Sequence, residues 1–230
     1  MDSIVDQEFG HVRLKRLARA KYIRLRVKPD GTLSVTLPKR AAVRHAKELI
    51  DGSRASIREL LEKRGPVKQW QHGDQVGASH RLVLVADPSA AACRTSIHGA
   101  QAIVRHHPDT EPAQLQTKIH EFVLKLLRKQ AAAYIPRRLQ SLAEEHDFSY
   151  STIRYSNAET RWGSCSSEGT ISVNIWLMSL PHELIDYVLV HELAHTRHMN
   201  HSASFWETVA QCMPHYKSLR TQLKQYSPTP

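Results

Sequence analysis

Apolar and basic residues alternate along the N-terminal part of the chain, which is the pattern of half-buried β-strands. The alternation runs through HVRLKRL (residues 11–17), YIRLRV (residues 22–27) and LSVTLP (residues 33–38). The segment KPDGT (residues 28–32) has the proline and the Asp-Gly pair of a turn, so these strands predict a β meander. From residue 41 to residue 64 the apolar positions recur at helical spacing, and we expect one helix that ends at Gly65-Pro66.

A second β-rich stretch and a mainly helical half follow. Strands are predicted over residues 81–85, 93–97 and 101–106, and turn formers over residues 106–114 mark a boundary. Beyond it an apolar stripe predicts a long helix over residues 115–131, and PHELIDYVLVHELAHTRH predicts a buried helix that starts at Pro181. We therefore predict an α+β protein with a β-rich region containing one helix, residues 1–110, and a second region, residues 111–230.

The charge balance adds a prediction about partners. The chain has 230 residues and a formal charge of +10, which favours anionic partners such as nucleotides or nucleic acid. Basic residues at positions 13, 15, 16, 19, 21, 24, 26 and 28 form either a phosphate-binding face or an ordinary solvated one. No apolar run reaches the roughly 18 residues that span a bilayer, and no signal peptide is recognisable, so we expect a soluble cytoplasmic protein without a membrane partner. The three cysteines are widely spaced, which argues against a disulfide framework.

The predicted buried helix contains His191-Glu192-Leu193-Ala194-His195, an H-E-x-x-H motif. Residues four apart lie on one helix face, roughly 5–6 Å apart at Cβ, so two imidazoles can bind one zinc ion. Glu192 lies one step around the helix, where its carboxylate can act as general base on a water molecule that zinc makes more acidic. The motif predicts a zinc site, with other divalent metals as open alternatives.

A third ligand is needed, because catalytic zinc usually has three protein ligands. His201 follows at the spacing of the third histidine in H-E-x-x-H-x-x-G-x-x-H, with His198 in the place of the glycine. Glu207 on the next predicted helix is the alternative, and we favour His201. Asn200 is a candidate for a left-handed residue that turns the chain. We expect His198 to be exposed or to contact the substrate.

The segment from residue 161 to residue 206 contains RWGSCS (residues 161–166), Asn174, the helix from Pro181, the H-E-x-x-H motif, and NHS (residues 200–202) with Phe205-Trp206. With these pieces it resembles the YgjP-like metallopeptidase-domain proteins, which are related to the SprT-like and WLM zincins. The resemblance extends over about residues 115–225 and is looser in the N-terminal β region. It implies a zincin-like fold with His191, His195 and His201 as zinc ligands and Glu192 as the base.

The role of RWGSCSS (residues 161–167) has two interpretations. It either lines the active cleft, with Arg161 holding an anionic or carbonyl oxygen, or it is a tight turn around Gly163 with Trp162 packed below the metal-binding helix.

We expect a zinc metallopeptidase that acts on peptides or proteins. Two alternatives remain: a metal-dependent hydrolase of nucleotides or phosphate esters, and a DNA-associated zinc protein that acts on DNA-bound proteins.

Overall fold

A computed structural model describes residues 3–27, 32–64 and 68–228. The chain divides into two compact units, Met1–Lys68 and Gln69–Pro230, each with its own hydrophobic core. This division differs from the predicted one between residues 110 and 111. The reason is that Trp70, Val76 and Leu82 from the second β-rich stretch pack in the same core as Ile119 and Phe122 from the following helix.

The first unit contains a four-stranded sheet with the strands β1 Ser3–Asp6, β2 Gly10–Leu17, β3 Arg24–Val27 and β4 Leu33–Pro38. The strand order is β1-β2-β4-β3, with β2 and β4 parallel and β3 antiparallel to β4. The predicted meander is wrong, because β4 lies between β2 and β3. Alternation of apolar and polar residues determines the face on which a side chain lies, but it does not determine which strands pair with each other. Except for Thr32, the turn predicted over residues 28–32 lies outside the described residues.

Two helices complete the core of this unit, α1 Val43–Gly52 and α2 Arg54–Arg64. The single helix predicted over residues 41–64 is therefore divided. Glycine is a weak helix former, and the helix ends at Gly52 with Ser53 as its cap, whose N–H donates to the carbonyl oxygen of Ile50 at 3.0 Å. The buried side chains are Val12, Leu14, Val27, Leu33, Val35, Leu37, Ala46, Ile50 and Ile57.

The second unit begins with another four-stranded sheet, of strands β5 Gln75–Val76, β6 His80–Ala86, β7 Arg94–His98 and β8 Gln101–His106. The order is β5-β6-β8-β7, again with a parallel central pair, β6 and β8. A long helix, α3 Pro112–Glu145, shares the core of this sheet. It begins with Glu111 accepting a hydrogen bond from the Gln114 N–H, and it continues through Pro136.

Three short strands and three further helices follow. The strands β9 Thr152–Ser156, β10 Gly163–Cys165 and β11 Thr170–Asn174 form a sheet of order β10-β11-β9, in which β10 is an edge. A 3-10 helix, Ile175–Ser179, leads to α4 His182–Ala194, α5 Ala203–Cys212 and α6 Tyr216–Leu223. The predicted α+β fold class is confirmed. Within the described residues, no helix has the length and apolar character to cross a membrane.

Candidate metal centre

Three histidines meet at the C-terminal end of α4. His191 lies in the last turn of the helix, His195 caps it, and His201 immediately precedes Ser202, the N-cap of α5. One nitrogen from each imidazole lies within 4.8 Å of the other two, and the Nε2 atoms of His191 and His201 are 3.1 Å apart. This is the one cluster of potential metal ligands found among the described residues, and Glu207 is not part of it.

The backbone after α4 orients His195. Its Nδ1 lies 3.0 Å from the carbonyl oxygen of His198, so the Nδ1–H donates to that oxygen and Nε2 keeps a lone pair for a metal. The His198 N–H donates to the carbonyl oxygen of Ala194, also at 3.0 Å. The turn does not use a left-handed Asn200, because Asp147 is the only non-glycine residue with positive φ in the described part of the chain. His198 thus supports the site through its backbone, and its side chain is outside the cluster.

Phe205 forms an apolar floor under the three imidazoles. The residue is fully buried, and its ring centroid lies 4.5 Å from that of His195 and 4.9 Å from those of His191 and His201. Packing of one rigid ring against all three imidazoles restricts their rotation and keeps their nitrogens close together.

A stack of side chains supports His201, which is the exposed member of the cluster. The Trp206 indole stacks on the His201 ring, with centroids 5.7 Å apart and an interplanar angle of 22°. Tyr216 stacks on Trp206 at 5.4 Å, and the guanidinium group of Arg220 lies 4.6 Å from the Trp206 ring centroid. Tyr216 and Arg220 belong to α6, and no sequence pattern indicated that these two residues contribute to the site.

The carboxylate of Glu192 is buried against the edge strand β10. The residue is 5% exposed, and its Oε2 has no hydrogen-bond partner in the part of the chain that the structure describes. Gly163 lies so close that a Cβ atom there would be 2.5 Å from Oε1 of Glu192. Gly163 begins β10, where it pairs with Val173, so the interpretation of this glycine as the centre of a tight turn is wrong. Its missing side chain makes room for Glu192.

Burial is the main cause of the pKa shifts of His191, Glu192 and His195. Desolvation, with the charges of His195, His201 and Arg220, lowers the pKa of His191 to about 3. Burial lowers the pKa of His195 as well. Burial also raises the pKa of Glu192 to about 8, an effect that the positive charge of nearby Arg161 opposes. His191 and His195 are therefore neutral at physiological pH, as metal ligands must be, and burial strengthens the proton affinity of the Glu192 carboxylate.

The segment that contains Arg161 and Cys165 lies beside Glu192. Arg161 is exposed, and its charge acts on the Glu192 carboxyl group. Cys165 is partly buried, and burial together with the charge of Glu192 raises the pKa of its thiol. Cys165 is not part of the cluster of potential metal ligands found among the described residues.

Asn174 holds this segment in place. It is fully buried at the end of β11, and its Nδ2 donates to the carbonyl oxygens of Ala158 at 2.7 Å and Arg161 at 3.1 Å. The Asn174 N–H donates to the carbonyl oxygen of Trp162 at 2.8 Å. One amide side chain and its own backbone thus fix the path of the chain into β10.

The donor set fits a zinc ion. Nitrogens bound to one tetrahedral zinc at about 2.0–2.1 Å are about 3.3 Å apart. The 3.1 Å separation of the His191 and His201 nitrogens is close to that spacing. The described residues offer no fourth protein ligand to the cluster, and an open position is characteristic of catalytic rather than structural zinc sites.

The comparison with protein-family models points to a peptidase family. The family described as "YgjP-like, metallopeptidase domain" matches residues 21–226. The chain is also similar to the solved metallopeptidase zymogen abylysin of Pyrococcus abyssi, with 24% identity and a TM-score of 0.37 over 40% of this chain and 92% of that one. Jannalysin of Methanocaldococcus jannaschii, another metallopeptidase zymogen, shows 18% identity and a TM-score of 0.36 over 40% of this chain and 94% of that one. No curated protein shows significant similarity to the chain.

Proposed function

The chain belongs to the YgjP-like metallopeptidase domain family, and we propose that it is a zinc peptidase that hydrolyses peptide or protein substrates at the histidine cluster. One observation carries the proposal: three imidazole nitrogens converge at the end of α4, and the residue after His191 in that helix is a buried glutamate whose Oε2 has no partner among the described residues. This combination matches the needs of metal-assisted hydrolysis, namely a metal ligand set and a general base next to it.

His191, His195 and His201 are the proposed zinc ligands, each through Nε2. The hydrogen bond from His195 Nδ1 to the His198 carbonyl oxygen supports this assignment for His195, and the short separation of the other two Nε2 atoms supports it for them. A zinc ion held by these three residues would supply a Lewis acid for the scissile carbonyl group and would make water more acidic.

Glu192 is the proposed general base. Its carboxylate takes a proton from the water molecule that attacks the carbonyl carbon, and it gives that proton to the leaving amine nitrogen when the C–N bond breaks. Its unpartnered Oε2 and its raised pKa support this role. Arg161 is proposed to stabilise the substrate oxygen that becomes negative, because it is exposed and its charge already acts at Glu192.

We propose that the substrate backbone binds along the edge strand β10. In its sheet β10 has a neighbour, β11, on one side only, so an extended peptide can add as a further strand. Gly163 on this strand lies against Glu192, which would bring a peptide bound there next to the base. His198 is proposed as a further substrate contact at the same end of α4.

A comparison of two glutamine variants tests the proposal. Purified protein is loaded with zinc and screened against a mixed peptide library and against nucleoside triphosphates. We expect peptide cleavage, with Glu192→Gln retaining zinc but losing about 100-fold or more of kcat/KM. The matched control is Glu207→Gln, because Glu207 is exposed on α5 and outside the cluster.

Two results would contradict the proposal. If Glu192→Gln cleaves the identified peptide as fast as Glu207→Gln, Glu192 is not the base. If the zinc-loaded protein hydrolyses nucleoside triphosphates and no peptide, the enzyme is a phosphate-ester hydrolase and the peptidase assignment is wrong.

A further inference from the structure

Almost all the excess positive charge of the chain lies in the first unit. Residues 1–68 contain 17 lysines and arginines against 8 aspartates and glutamates, a formal charge of +9 out of +10 for the whole chain. Residues 69–230, which contain the histidine cluster, have nearly balanced charge. The unit without the candidate site is thus the one to which a polyanion would be attracted.

Strand register places four of these cations on one exposed face of the first sheet. In β2 the side chains of Val12 and Leu14 are buried, so Arg13 and Lys15 lie on the opposite side of the sheet. In β3 Val27 is buried, while Arg24 and Arg26 are exposed. The core therefore occupies one side of the sheet, and the cations occupy the other.

The pairing aligns the cations in two rows across three strands. Ser34 of β4 pairs with Arg13 on one side and Arg26 on the other. Thr36 pairs with Lys15 on one side and Arg24 on the other. We call the surface formed by these rows the basic face; its residues are Arg13, Ser34, Arg26, Lys15, Thr36 and Arg24.

The cations of the basic face are available to an external anion. Within the described residues none of the four is in an ion pair with a carboxylate. The single acidic residue in the four strands is Asp6, which is bound to Arg54 at 2.9 Å. The alternation of β1 places Asp6 on the side of the sheet opposite to the exposed Ser3, which pairs with Arg13.

The dimensions of the basic face suit a charged polymer. Cations two residues apart on one strand are about 7 Å apart, and those on β2 and β3 are about 10 Å apart across the intervening strand. A nucleic acid strand carries one phosphate charge per nucleotide and can meet successive cations along such a surface. The central Ser34 and Thr36 add hydroxyl donors for phosphate oxygens.

We propose that the basic face binds the phosphate backbone of single-stranded nucleic acid without reading its sequence. The proposal does not depend on the metal site or on peptidase activity. It assigns the first unit a binding function of its own, separate from the chemistry of the second unit.

The test measures binding of a short fluorescein-labelled, mixed-sequence DNA strand by fluorescence anisotropy over a salt series. Four phosphate contacts predict a slope of about −3 for log affinity against log salt, at about −0.7 per contact. The variant Arg24→Gln/Arg26→Gln should reduce the slope to about −1.5 and weaken binding about tenfold or more at low salt. The matched control is Arg94→Gln/Arg105→Gln, which removes two exposed arginines that face each other on β7 and β8.

The control should bind DNA like the wild type, and circular dichroism should show that both variants are folded. Equal loss of affinity in the two variants would mean that only net charge matters, which overturns the assignment to the basic face. Absence of salt-dependent binding by the wild type overturns it as well. If polyglutamate or anionic lipid vesicles compete as well as unlabelled DNA at equal charge, the surface is a general polyanion site and the nucleic acid assignment is wrong.

Discussion

Replacement of Gly163 by alanine tests how the proposed base is positioned. The added Cβ would lie 2.5 Å from Oε1 of Glu192 and 2.7 Å from both its Cδ and its Cγ. Contacts this short are not tolerated, so the Glu192 side chain has to move away from β10. Because Glu192 is buried, it must move within packed surroundings.

The expected cost has two parts. Forcing one extra methyl group into a filled site destabilises a protein by about 1–3 kcal/mol. A displacement of a catalytic group by about 1 Å reduces the rate about 100-fold. We therefore expect Gly163→Ala to remain folded, to retain zinc, and to lose about 100-fold in kcat/KM on the peptide identified for the wild type.

The assay combines thermal unfolding, zinc content and peptide cleavage. The matched control is Gly52→Ala at the end of α1, where an added Cβ would meet no atom within 4 Å. This control should be as active as the wild type and equally or slightly more stable, by up to about 1 kcal/mol. Both variants add one methyl group, and they differ in whether that group would contact Glu192.

The double variant Gly163→Ala/Glu192→Gln separates displacement of the base from a general distortion. If the glycine acts through Glu192, the double variant should be no slower than Glu192→Gln alone, since the effects of coupled residues are not additive. Full activity of Gly163→Ala would refute the reasoning, and so would a further large loss in the double variant.

Three other changes have definite expected outcomes. Trp206→Leu removes the indole that stacks on His201 and should weaken zinc binding about 10-fold to 100-fold in a competition assay with a chelating dye. An unchanged zinc affinity would show that the stack does not support His201. His201→Ala should lose stoichiometric zinc in elemental analysis, and zinc retained at one ion per chain would exclude His201 as a ligand. Asp6→Asn should destabilise the first unit at neutral pH by about 1–2 kcal/mol in urea unfolding, because the hydrogen bond with Arg54 lowers the pKa of Asp6 from 3.8 to about 2. Because the pKa of Asp6 is lower in the folded state, its ionised form stabilises that state at pH values above the unfolded pKa. The difference in unfolding free energy between wild type and Asp6→Asn should therefore shrink as the pH falls from about 4 through about 2. A difference independent of pH would contradict this origin.

The sequence predicted the part of the candidate metal centre that depends on residues close together in the chain. The i and i+4 spacing places His191 and His195 on one side of α4, and the short connection to α5 limits how far His201 can lie from them. The structure brings one nitrogen of each together within 4.8 Å. The details of the connection were not predictable, since the expected left-handed Asn200 is replaced by hydrogen bonds made by the His198 backbone.

Contacts between distant segments could not be predicted. Gly163 is needed because of Glu192, and this requirement exists only after β10 and α4 have packed together. Arg220 and Tyr216 support His201 through Trp206, although they lie on α6, a different helix from that of Trp206. A single sequence shows the residue types but not these pairings, so such supporting residues are visible only in the fold.

The basic face shows the same limit at the level of a whole surface. Along the chain, Arg13 and Arg26 are separate positions in a run of basic residues, for which phosphate binding and simple solvation were both open interpretations. The parallel pairing of β2 with β4 and the antiparallel pairing of β3 with β4 place them in one row through Ser34. Had the strands formed the meander that the alternation suggested, β3 would lie between β2 and β4, and Arg24 and Arg26 would be in the centre of the sheet rather than along its edge. The strand order therefore places the cations of β2 and those of β3 on either side of the short hydroxyl side chains of β4, and the proposed phosphate contacts depend on this spacing.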